Sequence, residues 1–249
     1  TADFQGDGVS EIVVSDPYAD MVGSDSGRVF VVSAESSGVL LVDAAVVVIN
    51  GDDSGDLFGT SLAQGDVDGS GLTDLVVGAI GRNDFGASTG GVAIFLDVDL
   101  SAHTMLSSDA DRTIVGSERA QSAGASVAVG QLDEDAAGEL VVGAPGGVSL
   151  FGGGGLVAVF REVPDPGASL ADADHRLIGA GGSGDVGSDV AIASDLQGNG
   201  YPDLLVAAPL DTPELMTAAG AVWVWPFLPA YLDDDGDGFV AQVSGGLDC

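Results

Sequence analysis

The nine residues DVDGSGLTD, Asp66 to Asp74, decide how the rest of the chain is read. Oxygen-bearing side chains stand at positions 1, 3, 5 and 9, as Asp66, Asp68, Ser70 and Asp74, and Leu72 at position 7 can present its backbone carbonyl. Gly71 fills position 6, where a tight loop needs positive φ and a side chain costs energy. Hard oxygens at alternate positions, wrapped about one centre, are the ligand order of a calcium loop. The next residues, LVVGA, read as a buried strand.

The loop recurs. DFQGDGVSE spans Asp3 to Glu11, QLDEDAAGE spans Gln131 to Glu139, and DLQGNGYPD spans Asp195 to Asp203. Each runs into a matching strand, IVVSDP, LVVGAP or LLVAAP. The loops start at residues 3, 66, 131 and 195, a period of about 64 residues that marks a repeat architecture. Four short strands fit in one period, which makes one blade of an all-β propeller built of four-stranded antiparallel blades. A parallel β-solenoid is the rival, but its coils are much shorter. An aspartate-rich turn that bonds its own backbone would explain a single loop, not four in register with the same flanking strands.

The order of a Phe-Gly pair, a calcium loop, Gly-Ala-Pro and a G-x-V-x-V strand resembles the FG-GAP repeat of integrin α-subunit β-propellers. The second repeat carries Phe58-Gly59, Gly78-Ala79-Ile80 and GGVAIF from Gly90. The third carries Ala123-Gly124, Gly143-Ala144-Pro145 and GLVAVF from Gly155, and the fourth Val186-Gly187, Ala207-Ala208-Pro209 and GAVWVW from Gly220. The resemblance covers residues 1–227, as repeats of about 1–57, 58–122, 123–185 and 186–227. It implies a propeller that usually closes with seven blades, so further blades are expected upstream and the chain reads as a fragment. It also implies calcium loops on one face and partners on the opposite one, at connections that include 80–89, 146–154 and 210–219.

Composition agrees with strands. The chain has 249 residues, is 45% hydrophobic and holds 40 glycines, and valine dominates its apolar set. No apolar run is long enough to span a bilayer. The formal charge is −33, and all six basic residues are arginine. Such a chain repels nucleic acid and anionic membrane surfaces, so neither a nucleic-acid partner nor direct membrane insertion is expected. The acidity and the missing lysine suit a microbial exported protein in a salty environment, and they equally suit cation binding. Cys249 is the only cysteine and says little about redox compartment.

Within the repeats, strand A precedes each loop, B follows it, and C and D complete the blade. The first blade starts at its loop and lacks A. Its B, C and D strands are expected at Ile12–Ser15, Gly27–Ser33 and Val46–Asn50. In the second blade A, B, C and D are expected at 58–65, 74–79, 91–96 and 112–115, with a long loop at 97–111. The third blade gives 124–130, 139–143, 155–161 and 176–178. The fourth gives 188–194, 203–207 and 220–226, with no D. The glycine-rich stretch 146–155 carries no GKT or GKS sequel and reads as a hairpin tip rather than a phosphate cradle. Beyond residue 227 the composition changes. DDDGDGF places Asp233, Asp235, Asp237 and the Phe239 carbonyl at positions 1, 3, 5 and 7 of another calcium loop, but Ser244 stands where an EF-hand needs glutamate. With the following GGLDC, residues 228–249 resemble a linker and the start of a thrombospondin type 3-like aspartate-rich motif.

The loop spacing sets the expected calcium ligands. The first loop offers Asp3, Gln5, Asp7, the Val9 carbonyl and Glu11, the second Asp66, Asp68, Ser70, the Leu72 carbonyl and Asp74. The fourth offers Asp195, Gln197, Asn199, the Tyr201 carbonyl and Asp203. The third departs twice: Gln131 replaces the leading aspartate and Ala136 the glycine, leaving Asp133, Asp135, the Ala137 carbonyl and Glu139. Magnesium demands compact octahedral geometry and zinc wants cysteine or histidine, so calcium is the expected ion. His103 and His175 sit at different points of their repeats and read as solvated loop residues. Trp223 and Trp225 alternate in strand C, and one is expected to pack on an adjoining blade. No nucleophile motif or acid–base pair stands out. The expected function is therefore a non-enzymatic, calcium-stapled extracellular or cell-surface module that recognises a protein or glycan. The alternatives are a structural spacer of a large surface protein and an accessory domain of a secreted hydrolase.

Overall fold

The computed structural model describes residues 1–34, 45–83, 89–133, 135–146, 154–179, 185–211 and 220–226. Among them the chain forms strands β1 to β16 and three short 3-10 turns. The strands fall into four consecutive sheets. The first contains β1 (Glu11–Asp16), β2 (Arg28–Ser33) and β3 (Ala45–Asn50). The second contains β4 (Phe58–Gly65), β5 (Asp74–Ala79), β6 (Gly91–Phe95) and β8 (Arg112–Val115). The third contains β9 (Ser126–Gly130), β10 (Glu139–Ala144), β11 (Leu156–Phe160) and β13 (His175–Ile178). The fourth contains β14 (Asp189–Ala193), β15 (Asp203–Ala208) and β16 (Ala221–Pro226). Sequential neighbours pair antiparallel in the A-B-C-D order, as in Leu75↔Phe95 and Leu140↔Phe160. This is the all-β blade architecture read from the sequence, and the strand limits agree to within a residue or two.

The expected four-stranded antiparallel blade needs one correction. Two further strands, β7 (Thr104–Leu106) and β12 (Ala168–Ser169), come from the C–D connections of the second and third repeats. Each crosses to the preceding sheet and adds in parallel to its D strand, as Val48↔Thr104 and Ala168↔Ile114. The stretch 97–111 is thus no plain loop. An outer strand with an unpaired edge is a liability, and these short segments cover it. Turns aim them: Asp99 accepts from Ser101 N–H, Asp109 from Leu106 N–H, and Asp172 from Ser169 N–H. Two or three residues are too few to carry a hydrophobic period, so no pattern marks them in advance.

Three apolar cores lie between successive sheets. Val29, Val31, Phe58, Leu75 and Val77 share the first. Val76, Ile94, Val127, Leu140 and Val142 share the second, and Val141, Val159, Leu204 and Val206 the third. Side chains alternate across a strand, so Leu75 and Val77 enter one core and Val76 the next. That double burial is why LVV runs occur without polar interruption. β5 and β10 are buried along their full length. The end sheets leave apolar side chains exposed, Ile12 in β1 and Val222, Trp223 and Val224 in β16. Trp225 packs on the third core. The inner strands face a cleft of about 460 Å³ lined by Val13, Leu62, Leu75, Val129 and Ile192.

Blades meet where backbone touches backbone. A Cβ on Gly78 would collide with the Gly124 carbonyl, and one on Gly143 with the Gly187 carbonyl. Ser61 and Ser126 hydroxyls donate to those same two carbonyls. The glycine of Gly-Ala-Pro is therefore needed for its close approach to the next repeat. Among the described residues no strand of the first sheet pairs with one of the last. His175 corrects another expectation: it is buried in β13 opposite Val159, not solvated in a loop. The DDDGDGF stretch, with Asp233, Asp235, Asp237 and Phe239, lies outside the described residues, as do 84–88, 147–153 and 212–219, which make up most of the connections expected to face a partner.

Candidate metal centres

Each loop enters a central strand through its ninth residue. Glu11, Asp74, Glu139 and Asp203 open β1, β5, β10 and β15, and all four are buried. In every repeat this carboxylate accepts from the N–H of position 2. The pairs are Glu11 with Phe4, Asp74 with Val67, Glu139 with Leu132 and Asp203 with Leu196, at 2.5 to 3.2 Å. Phe4, Val67 and Leu132 are themselves buried, so the loop is anchored by an apolar residue and a carboxylate side by side.

Within the first, second and fourth loops the leading aspartate folds the backbone around itself. Asp3, Asp66 and Asp195 accept from the N–H of Gly8, Gly71 and Gly200. Position 5 accepts from the N–H of position 7, as Asp7 from Val9, Ser70 Oγ from Leu72 and Asn199 from Tyr201. Gly8, Gly71 and Gly200 have φ of 87°, 87° and 92°, and position 4 is left-handed too, at Gly6, Gly69 and Gly198. Two left-handed glycines curl each of these loops about its leading aspartate; among them only the second is seen to bring three carboxylates together, and Asp3, Asp7 and Glu11 do not form such a group.

In the second loop Asp66, Asp68 and Asp74 bring one oxygen each within 4.8 Å of one another. Asp66 Oδ1 is buried with no hydrogen-bond partner. In the fourth loop the same is true of Asp203 Oδ1. A turn that only bonds its own backbone accounts for the other oxygens but leaves these two without a role. A buried unpaired carboxylate oxygen is costly unless a cation meets it. Burial pushes Asp74 up to about 6 despite the N–H groups of Asp97 and Val67, and Asp68 and Asp97 add to the rise. Neighbouring carboxylates of this kind resist sharing a site without a cation between them.

Sequence reasoning missed Asp97. It follows β6, has φ of 46°, donates its N–H to Asp74 Oδ1 and accepts from Ser70 Oγ at 2.8 Å. A fourth carboxylate thus borders the second loop. Its position leaves no trace in the loop's own spacing, because it reaches the loop from the corner after β6.

The third loop is built differently. Asp133, Asp135 and Glu139 converge within 4.8 Å, and Glu139 Oε1 is buried and unpartnered. Yet Gln131 turns its amide nitrogen to the carbonyls of Asp135 and Ala137, at 2.9 and 2.7 Å. Ala136 is not left-handed. Arg161 Nε and Nη2 lie 3.1 and 2.5 Å from Asp133 Oδ2. Burial would raise Asp133, but the Asp135 N–H and the Arg161 guanidinium outweigh it and hold the carboxyl below its usual range. Burial also raises Glu139 above the usual glutamate range.

Residues 186–225 match the family model of the FG-GAP repeat. The chain is 32% identical over 171 residues to "Integrin alpha-PS5" of Drosophila melanogaster, a match covering 65% of this chain and 16% of that protein. It is 31% identical over 169 residues to "Integrin alpha-5" of Xenopus laevis, covering 64% of this chain and 15% of the relative. With "Integrin alpha-3" of Cricetulus griseus it shares 28% over 197 residues, or 77% of this chain and 18% of that protein. The chain thus spans less than a fifth of the length of these relatives. All three come from animals, which lends no support to the microbial source that composition suggested. Repeat motifs, blade topology and relatives agree: the chain carries an integrin-α-like FG-GAP region.

Proposed function

We propose that this chain is a calcium-binding propeller module of an extracellular or cell-surface protein, used for adhesion or for recognition of a protein or glycan. Calcium at the first, second and fourth loops staples each loop to its central strand. The ligands are Asp3, Gln5, Asp7, Val9 O and Glu11; Asp66, Asp68, Ser70, Leu72 O and Asp74; and Asp195, Gln197, Asn199, Tyr201 O and Asp203. The observation that carries the reading is the buried, unpartnered carboxylate oxygen at successive loops, Asp66 Oδ1 in the second and Asp203 Oδ1 in the fourth; Glu139 Oε1 is its counterpart in the third, where Arg161 already brings a cation to Asp133. Similarity to integrin α subunits supports the adhesion part. The chain's role is binding rather than catalysis, because the spaced carboxylates are accounted for as ion ligands.

The loops lie at the start of the B strands and the B–C connections at their far end, so a partner has the face opposite the ions. There Tyr18, Met21 and Val22 are exposed in the first blade, and an apolar cluster of this kind is a natural contact. Among the described residues no helix is long and apolar enough to cross a membrane. The test is calcium titration by calorimetry, paired with melting in calcium and in chelator. The expected result is about three sites and a melting temperature several degrees lower in chelator. Absence of binding, with superimposable melts, sinks the reading.

A further inference from the structure

We propose that Arg161 occupies the place an ion takes in the other loops, so that the loop Gln131–Glu139 is closed by an internal cation and binds no calcium. The inference rests on the calcium reading of the other three loops. Three independent features of the chain converge on it. Position 1 supplies an amide whose nitrogen already holds the Asp135 and Ala137 carbonyls; the second of these is the backbone oxygen that an ion would need. Position 6 is Ala136 with an ordinary φ, where the other loops have glycine near φ +90°. The curl that brings position 1 onto the N–H of position 6 is therefore missing. And a guanidinium forks onto Asp133 Oδ2, with the Asp133 side chain only 4% exposed.

The comparison with the second blade sharpens this. The residues directly after strand C are Leu96-Asp97 there and Arg161-Glu162 here. In the second blade that corner delivers a carboxylate to Ser70 Oγ, while the Asp97 N–H donates to Asp74 Oδ1. In the third blade it delivers a cation to Asp133. The corners are otherwise alike: Leu96 N–H donates to Asp111, and Arg161 N–H to Asp174. The loop whose corner adds negative charge needs a cation from solvent. The loop whose corner adds positive charge has one covalently attached, at no cost in affinity or concentration. Arginine suits the post, since its fork stays charged and holds a carboxylate oxygen in fixed geometry.

The test uses the full chain with calcium alone. Arg161→Gln is melted in chelator and in saturating calcium. The expected result is an equal fall in both, of about 2 to 4 °C, because the clamp acts whether or not the other loops are filled. A fall seen only in chelator also supports the proposal, since it means the place vacated by Arg161 takes an ion in the variant. No fall in chelator overturns it. Independently, Asp133→Asn is expected to bind as many ions as the wild type by native mass spectrometry, and a loss of one ion overturns the proposal. Asp66→Asn is the control that loses one. A wild type that binds no ion at all removes the calcium reading instead, and leaves the Arg161 clamp to be judged by the melt in chelator.

Discussion

At the residue scale the informative atoms are carboxylate oxygens with nothing to bond. Asp66 uses Oδ2 for the Gly71 N–H and leaves Oδ1 buried and unpartnered. Asp66→Asn keeps the first contact and places an amide where a cation would lie. In chelator its melting temperature is expected to match the wild type. In calcium at about 100 times the dissociation constant it should forfeit about 2.7 kcal/mol of ligand-linked stability. Equal stability in both conditions would mean the loop holds no ion. Acidity gives a second prediction. Burial raises Asp74 from 3.8 to about 6, so the metal-free fold prefers the protonated acid. Its stabilising share is complete below the unfolded value and is lost as pH rises through the folded one. The chelated protein should therefore melt lower at about pH 7 than at about pH 4.5, and calcium, which takes the ionised form, should abolish the decline. A chelated melt that rises over that window would count against the buried-acid picture. The carboxylates that converge at the second loop, Asp66, Asp68 and Asp74, were legible from their regular spacing alone. Asp97 and Arg161 were not. They reach the loops from the corner after strand C, about 25 residues on, and no local pattern encodes a contact made by tertiary packing.

At the scale of elements, the blade was readable because strand B is buried on both faces and its hydrophobic run recurs with the loop before it. The strands β7 and β12 were unreadable because they are held by their surroundings rather than by their own composition. Asp52 shows how. It stands in the turn after β3, accepts from Ser107 Oγ and Ser108 N–H at 2.7 and 2.6 Å, and donates its own N–H to Ser107 Oγ. These contacts clasp β7 against the outer edge of the first sheet. Asp52→Ala should cost about 1 to 3 kcal/mol in urea titrations, equally with and without calcium, and hydrogen exchange should accelerate at Thr104–Leu106 before elsewhere. Exchange unchanged at β7 would show that the clasp is dispensable. The glycines separate two kinds of cost in the same way. Gly200 has φ of 92° with open space around its Cα, whereas Gly78 abuts the Gly124 carbonyl and the Ser61 hydroxyl of neighbouring backbone and strand. Gly200→Ala should lose about 1 to 2 kcal/mol through backbone strain and should weaken calcium binding. Gly78→Ala should lose about 1 to 3 kcal/mol or more by forcing two blades apart, with calcium affinity per ion retained at the second loop. If both variants lost the same stability and the same affinity, strain and close approach would not be separable roles.

For the whole molecule, a formal charge of −33 on 249 residues opposes compaction, and two different remedies are open to it. Mobile counterions screen charge anywhere on the surface, over a Debye length of about 10 Å at 0.1 M salt. An ion seated in a loop neutralises particular carboxylates and ties one loop to one strand. Consecutive loops also lie side by side: the Asp66 carbonyl accepts from Gly138 N–H at 2.6 Å, and Gly69 sits against Ala136. Seating an ion in one loop therefore steadies its neighbour, and the acidic face is reinforced where it is most crowded. Salt and divalent cations distinguish the two remedies. Sodium chloride added to the chelated protein should raise the melting temperature gradually by screening, and magnesium should do little more than an equal ionic strength of sodium, because it keeps its waters and fits poorly in an open loop of many protein oxygens. Calcium should add a saturable increment at concentrations far too low to screen. Melting curves against each salt at matched ionic strength measure this directly. If magnesium or sodium reproduced the whole calcium effect, stabilisation would be diffuse, and the converging carboxylates of Asp66, Asp68 and Asp74 would be acidic surface and no more.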